Sequence, residues 1–291
     1  LRFGRIALPM FLAADYRKVG YAYPWARTPV EVYGAIPFSH SDGLDATWRW
    51  TSGPLKNVTH GFVGRTEVAA PGNTHLQARE LAGISNTVEV GAATFRVSML
   101  TTKLMLTELD GYFDGLRQFG PQGAALAAHY AVDDKRATAV SIGAGYDPGD
   151  WFAMGELGRM NSRSFIGSTT GLYASGGYRF GDFTPYVSYA QVRSNTGTDE
   201  PGLDLAGLAP AAAATGAGLN QYLGRLLTTI PAQRTLSIGM RWDCATDVAL
   251  KLQVDRITPI GGSRGTFVNV QPGFRSGRAV NVASAVLDFV F

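Results

Sequence analysis

The last stretch of the chain, residues 278–291, alternates by twos. Ala283, Ala285, Leu287, Phe289 and Phe291 are apolar, while the intervening positions include Arg278, Ser284 and Asp288 and are shared with Val280, Val282, Val286 and Val290. Successive side chains of an extended chain point to opposite faces, so this period predicts a strand with one apolar and one mixed face. The design recurs upstream. Leu250, Leu252 and Val254 alternate with Lys251, Gln253 and Asp255, and Leu236, Ile238, Met240 and Trp242 alternate with Ser237, Gly239 and Arg241. Further strands are predicted over 172–180, 183–195, 135–147, 151–162, 82–90, 94–104, 43–51 and 56–67, with a first one around Phe3-Gly4-Arg5.

The connections carry as much information as the strands. Short turns fall near 53, 92, 148, 181 and 244. Longer polar or Gly-rich links are expected at about 9–42, 68–81, 105–134, 163–168, 196–231 and 259–276. Short and long links alternate, as an up-and-down barrel with short turns at one rim and long loops at the other requires. A soluble sandwich has no reason to sort its loops this way. The fold class read from this pattern is all-β: a transmembrane antiparallel up-and-down β-barrel with about twelve strands of ~10 residues, a length that crosses an outer membrane when tilted. Both ends of the sequence then fall on the periplasmic side. The first strand has no visible start, so further strands and a signal peptide are expected ahead of Leu1.

Composition narrows the field. The chain has 291 residues, 45% of them hydrophobic, with a mean hydropathy of zero and no apolar run of the ~18 residues a spanning helix needs. Any membrane role must therefore go through strands, because lipid tolerates only helices and closed barrels. The 36 glycines and 11% aromatics suit short strands, tight turns and aromatic girdles. Trp48, Trp50, Trp151, Phe180, Phe183, Trp242, Phe289 and Phe291 cluster at strand ends next to short turns, the pattern of a periplasmic-side girdle. A net charge of +3 gives no argument for nucleic acid, and the single Cys244 supplies neither a disulfide framework nor a zinc set. No cofactor or metal is expected. Residues 114–130 and 216–227 space their apolar side chains near the helical period and predict short loop helices capping the mouth.

The long first connection differs from the others. Residues 5–33 combine Asp15, Arg17, Lys18, Arg27 and Glu31 with many aromatics and with prolines that forbid a central strand. Such a loop could fold inward and narrow a pore. Here the sequence resembles the Gram-negative trimeric porins, on the Phe3-Gly4-Arg5 strand, the long loop after it, Lys251-Leu252-Gln253-Val254-Asp255-Arg256 in the penultimate strand and the terminal Phe291. The resemblance implies a sixteen-stranded barrel of which this chain holds twelve strands, a single domain over 1–291 and an inward-folded constriction loop at 9–42. It further implies a homotrimer in the bacterial outer membrane, in contact with outer-membrane lipid and lipopolysaccharide. Leu287, Phe289 and Phe291 would be the assembly signal, and the function a passive diffusion channel for small hydrophilic solutes.

Projecting the polar face of each strand inward places Arg49, Arg65, Arg96, Lys135, Arg179, Arg241, Lys251 and Arg278 in the lumen, against Asp45, Glu67, Glu89, Asp147, Asp255 and Asp288. Glu156 and Arg159 stay unassigned because the alternation of their strand is blurred. The expected constriction comprises Asp15, Arg17, Lys18, Arg27 and Glu31 on the loop with Arg49, Arg65, Arg96 and Lys251 on the wall. The modest basic excess predicts a weak anion preference. Two other classes stand beside the channel. An outer-membrane barrel enzyme of lipase or protease type would need a nucleophile–base pair such as His40 with its neighbours Ser39, Ser41 and Asp42, but no G-x-S-x-G motif occurs. A structural or adhesive barrel would have a filled lumen. No catalytic residue is assigned.

Overall fold

The computed structural model describes residues 1–14, 19–70 and 74–290, so Asp15, Arg17, Lys18 and Phe291 of the expected sites lie outside the described residues. Among the described residues twelve strands form one sheet in chain order, each hydrogen-bonded to the next. They are β1 (Arg2–Ala7), β2 (His40–Ser52), β3 (Leu55–Ala70), β4 (Thr74–Val90), β5 (Ala93–Met105), β6 (Lys135–Tyr146), β7 (Trp151–Ser162), β8 (Thr169–Tyr178), β9 (Phe183–Ser194), β10 (Gln233–Ala245), β11 (Val248–Pro259) and β12 (Val280–Phe289). Every pairing is antiparallel. The sheet is thus an up-and-down meander, with β1 and β12 as its two edges.

Short turns close one end of the sheet. Ser52 pairs with Leu55 and Val90 with Ala93, across two-residue turns whose Gly53 and Gly91 take φ of +58° and +56°. That left-handed conformation is the one a two-residue hairpin needs and a glycine adopts without strain. At the other end the links are longer and carry helices: α1 (Val30–Tyr33), α2 (Asp110–Arg117), α3 (Gly120–Tyr130) and α4 (Pro210–Leu227). The last three share an apolar cluster of Phe113, Leu116, Ala127, Tyr130, Leu223 and Leu227. They therefore cover that end of the sheet as one small helical cap. Tyr130 donates to Glu200 at 2.8 Å, and burial with that bond pushes its phenol up to about 12.

One expected long link is absent. β3 and β4 continue their ladder until Ala70 stands opposite Thr74, so 68–70 and 74–81 belong to the two strands. They read as loop because the outward side chains His75, Gln77 and Arg79 are polar, past the apolar part of the outer face. Register shifts at Gly64/Thr66 and at Arg79/Ala82 mark bulges, where an unpaired residue bends a strand and shifts its facing.

The two faces differ sharply. Leu157, Leu172, Val187, Ile238, Leu252 and Leu287 are exposed on the outer face, while the inner face carries Ser98, Ser141, Ser175, Ser188, Ser237 and Gln253, all buried. Apolar outside and polar inside inverts a soluble protein and is the pattern of a membrane barrel. Trp48, Trp50, Trp151, Phe180, Phe183, Trp242 and Phe289 are exposed near the short-turn rim.

Candidate functional site: the inner loop and the wall beneath it

The chain between β1 and β2 returns into the concave side of the sheet and lies along its inner wall. Its first segment is pinned by four consecutive backbone groups. Ser98 of β5 donates to the Pro9 carbonyl (3.2 Å), Ser141 of β6 to that of Met10 and Arg96 of β5 to that of Phe11. The Leu12 amide donates to Glu156 Oε1 of β7 at 2.6 Å. Pro9 supplies no amide, so nothing on that nitrogen is left without a partner.

Further on, Trp25 Nε1 donates to Ser175 Oγ of β8 (2.9 Å), and the Ala26 and Arg27 amides converge on Gln253 Oε1 of β11 at 3.0 Å each. Glu31 accepts from Gln233 Nε2 (2.7 Å) and from Thr235 Oγ1 of β10. Lys251 Nζ donates to the Gly20 carbonyl (2.6 Å) and forms an ion pair with Asp288 of β12 at 2.9 Å. The loop thus makes polar contacts with every strand from β5 to β11, that with β9 running from the Ala26 amide to the Tyr186 hydroxyl at 3.2 Å.

Apolar packing reinforces these anchors. Phe11, Tyr33, Trp25 and Tyr173 form a ring cluster with centroids 5.1–5.9 Å apart. Leu8, Met10, Val32, Ile36 and Phe38 of the loop share a core with Leu100, Leu104, Phe152 and Tyr186 of the wall. Glycine makes the approach possible. A Cβ on Gly171 of β8 would collide with the Glu31 carbonyl, so a backbone sits where any side chain would otherwise stand.

The expected constriction residues separate into several groups. Glu31, Arg96 and Lys251 are on the inner side but buried, at 2%, 4% and 0% exposure, so they hold the loop and do not border open lumen. Arg27 is half exposed and 3.6 Å from Asp255. Arg49 is exposed on the inner face of β2. Arg65 is a correction: it stands opposite Asp42, which pairs with Arg5 at 2.8 Å on the outer face. Glu67 likewise turns outward, since its neighbour Thr66 is buried opposite Ala78. Both errors share one cause: beyond the apolar band the outer face is also polar, so polarity there does not mark the lumen.

Glu156, unassigned from sequence, is inward, with Tyr173 donating to it at 3.1 Å, and Arg159 is outward. The alternation of β7 is blurred because its inner face, under the loop, carries the apolar Phe152 and Met160. Ser98, Ser141 and Ser175 carry no sequence signal as loop anchors, and Gln253 none beyond its place on a polar strand face. Nothing local distinguishes a wall polar group that meets a loop from one that meets water. The inner charges are largely paired: Arg2 with Asp45, Arg27 with Asp255, Arg241 with Asp243 and Lys251 with Asp288. His40 and Ser41 are adjacent in β2 and so point to opposite faces, which separates the one suggested base from that hydroxyl.

A consecutive antiparallel sheet, apolar outward, with a long loop folded back against its inner wall, is the fold of the porin-type outer-membrane barrels. Solved structures agree. OmpF of Salmonella typhi, determined as a complex with daunomycin, superposes with a TM-score of 0.55 at 13% identity, over 98% of this chain and 73% of that one. OmpT, an outer membrane protein of Vibrio cholerae, gives 0.53 at 11% identity, over 99% and 75%. No protein-family model matches the chain, and no curated protein matches it in sequence.

Proposed function

We propose that this chain forms a passive diffusion channel of the bacterial outer membrane for small hydrophilic solutes, with a weak preference for anions. The observation that carries the reading is the inner loop. The described loop segments, residues 8–14 and 19–39, lie against a wall and are held by polar bonds on seven strands, which supports a fixed restriction of a lumen. Arg27 on the loop and Arg49 on the wall are exposed cations of the inner side, and Arg49 has no carboxylate partner among the described residues. Asp15, Arg17 and Lys18 belong to the same proposal as loop residues bordering the restriction. So do the homotrimer, which the porin resemblance alone supports, and the assembly role of Leu287, Phe289 and Phe291.

In lipid the edges β1 and β12 must be hydrogen-bonded, because unpaired backbone there costs several kcal/mol per group. Purified protein in planar bilayers under a salt gradient tests the reading. Discrete conductance steps with a reversal potential of anion-selective sign are expected. Cation selectivity would sink the anion part. Absence of conductance, together with liposomes that fail to swell in small sugars, would sink the channel in favour of a filled structural barrel.

A further inference from the structure

At the long-link end, the concave side of the sheet holds a cavity of about 390 Å³. Its floor is α1 with the turn after it (Val30, Gly34, Pro37), and its back wall is Met160 of β7 with Val192 of β9. Phe165 and Ile166, from the link between β7 and β8, close one side. Residues 264–268, from the link between β11 and β12, close the other. The cavity therefore stands over the inner loop, on the long-link side of the restriction.

The wall at 264–268 is firmly tied down. Ser263 Oγ donates to the Ile230 carbonyl at 2.6 Å and accepts from the Ala232 and Gly265 amides at 3.2 and 2.9 Å. The Thr266 amide donates to Gln233 Oε1 at 2.8 Å, and the same glutamine donates to Glu31 of α1 at 2.7 Å. Gly265 takes φ of +66°, and a Cβ there would collide with Gln233, so the segment passes this close only as glycine. One bonded network thus fixes both the floor and the far wall, the preformed state of small-molecule sites.

The lining is chemically one-sided. Val30, Met160, Phe165, Ile166, Phe267 and Val268 make most of it apolar. Among the described residues it contains one cation, Arg264, and one carboxylate, Glu31. The carboxylate is already committed: Glu31 is 2% exposed and accepts from Gln233 and from Thr235. Arg264 is half-buried, its amide donates to the Thr228 carbonyl at 3.0 Å, and its side chain has no carboxylate partner among the described residues. A guanidinium presents five donors in a planar fork that matches a carboxylate. Beside apolar walls such a pairing gains more than it does in open water. A simple salt anion would satisfy the fork and leave the apolar lining wet. An apolar body with one anionic end satisfies both, and the volume, low in the ~300–1,000 Å³ range of small-molecule sites, suits a single ring.

We infer that this cavity binds compact amphipathic organic anions, one aromatic ring or short branched chain bearing one carboxylate, which dock on Arg264 before they reach the restriction. The inference deepens the channel reading and rests on it for the passage that follows binding. The full chain, folded in neutral detergent, is titrated calorimetrically with benzoate, benzamide, acetate and benzylamine. Benzoate should bind about tenfold or more tightly than benzamide, which has the ring without the charge, because hydrogen bonds between charged groups are the stronger kind. It should exceed acetate, which has the charge without the ring, by about the same factor through apolar burial.

Arg264→Gln should bring benzoate down to the level of benzamide and leave benzamide unchanged. Phe267→Ala should weaken benzoate and benzamide alike and spare acetate. Neither side chain is fully buried, so the β-rich circular dichroism should persist in both variants. Equal binding of benzoate and acetate overturns the inference, because charge alone would then be read. An Arg264→Gln variant with the full preference for benzoate overturns it as well. So does tighter binding of benzylamine, since Glu31 would then be the charge in use. Conductance of the same preparation is read separately. A conducting protein without benzoate preference removes this inference alone, and a non-conducting one with the preference removes the channel and leaves the site.

Discussion

At the scale of single residues, the inner loop depends on a few groups that have no exit to water. Lys251 is fully buried, and its ammonium is held by the Asp288 carboxylate and the Gly20 carbonyl. Replacing it with Met leaves a carboxylate facing a wall without its cation. Breaking one side of a buried pair costs about 3–5 kcal/mol, more than the side-chain volume retained by Met can recover. Lys251→Met is therefore expected to lower the thermal midpoint. It should also free the loop near Gly20, seen as larger and noisier single-channel conductance; unchanged steps would show that this anchor does not set the opening. Gly171 is the complementary case. Gly171→Ala inserts a methyl into the Glu31 carbonyl, and overpacking of this kind costs about 1–3 kcal/mol. The backbone of α1 must lift from β8, so the variant should show the same direction of change in conductance without any change of charge.

At the scale of elements, the strands were legible in the sequence because each has one face in contact with an apolar medium, which forces a period of two. The twelve predicted segments coincide with β1 to β12, apart from boundaries of a few residues and the longer ladder of β3 and β4. The loop helices were legible for a related reason: Leu219, Leu223 and Leu227 follow the helical period, and the cap they form with α2 and α3 buries that side. What was not legible is which wall residues the loop covers, because that depends on the path of a segment with no period at all. Arg96 and Lys251 look like lumen charges until the loop is placed over them, and Glu31 on the loop does so until it is seen buried against β10.

Two predictions belong at this scale. Leu223→Ala, at a position with no exposure, should cost about 2–5 kcal/mol of cap stability while the sheet persists. Limited proteolysis should then cut within 105–134 or 196–231 while the remaining fragment stays folded; loss of the sheet as well would mean that the cap is not a separate unit. At the opposite rim, Arg179 beside Asp147, bonded at 2.7 Å, holds that turn carboxyl below the usual carboxylate range. A lowered folded-state value stabilises above the unfolded one and is lost as pH falls through it. Asp147→Asn should thus lower the midpoint slightly at neutral pH, by at most about 1 kcal/mol for so exposed a pair. The gap should close in acid, and a gap independent of pH would exclude the ion pair as its cause.

At the scale of the whole molecule, the distribution of charge matters more than its sum. The net charge of +3 is small, and on the inner side most described cations have a carboxylate beside them. Many of the unpaired arginines among the described residues instead face outward along the long-link rim, away from the lumen side. The field inside the lumen is therefore the residue of near-cancellation, with Arg49 its clearest described source, and a selectivity of that origin must be weak and easily screened. The screening length is about 10 Å at 0.1 M salt and about 3 Å at 1 M, so charges spread along a lumen wall act together only in dilute salt. The anion preference is expected at 0.1 M and should vanish toward equal permeability at 1 M. Arg49→Glu should reverse its sign in dilute salt and do nothing in concentrated salt. Both are read from the reversal potential in a salt gradient. A preference that persisted at 1 M would point instead to direct coordination of the anion by a fixed group at the restriction, where Arg27 stands, and would displace Arg49 and the distributed field as the explanation.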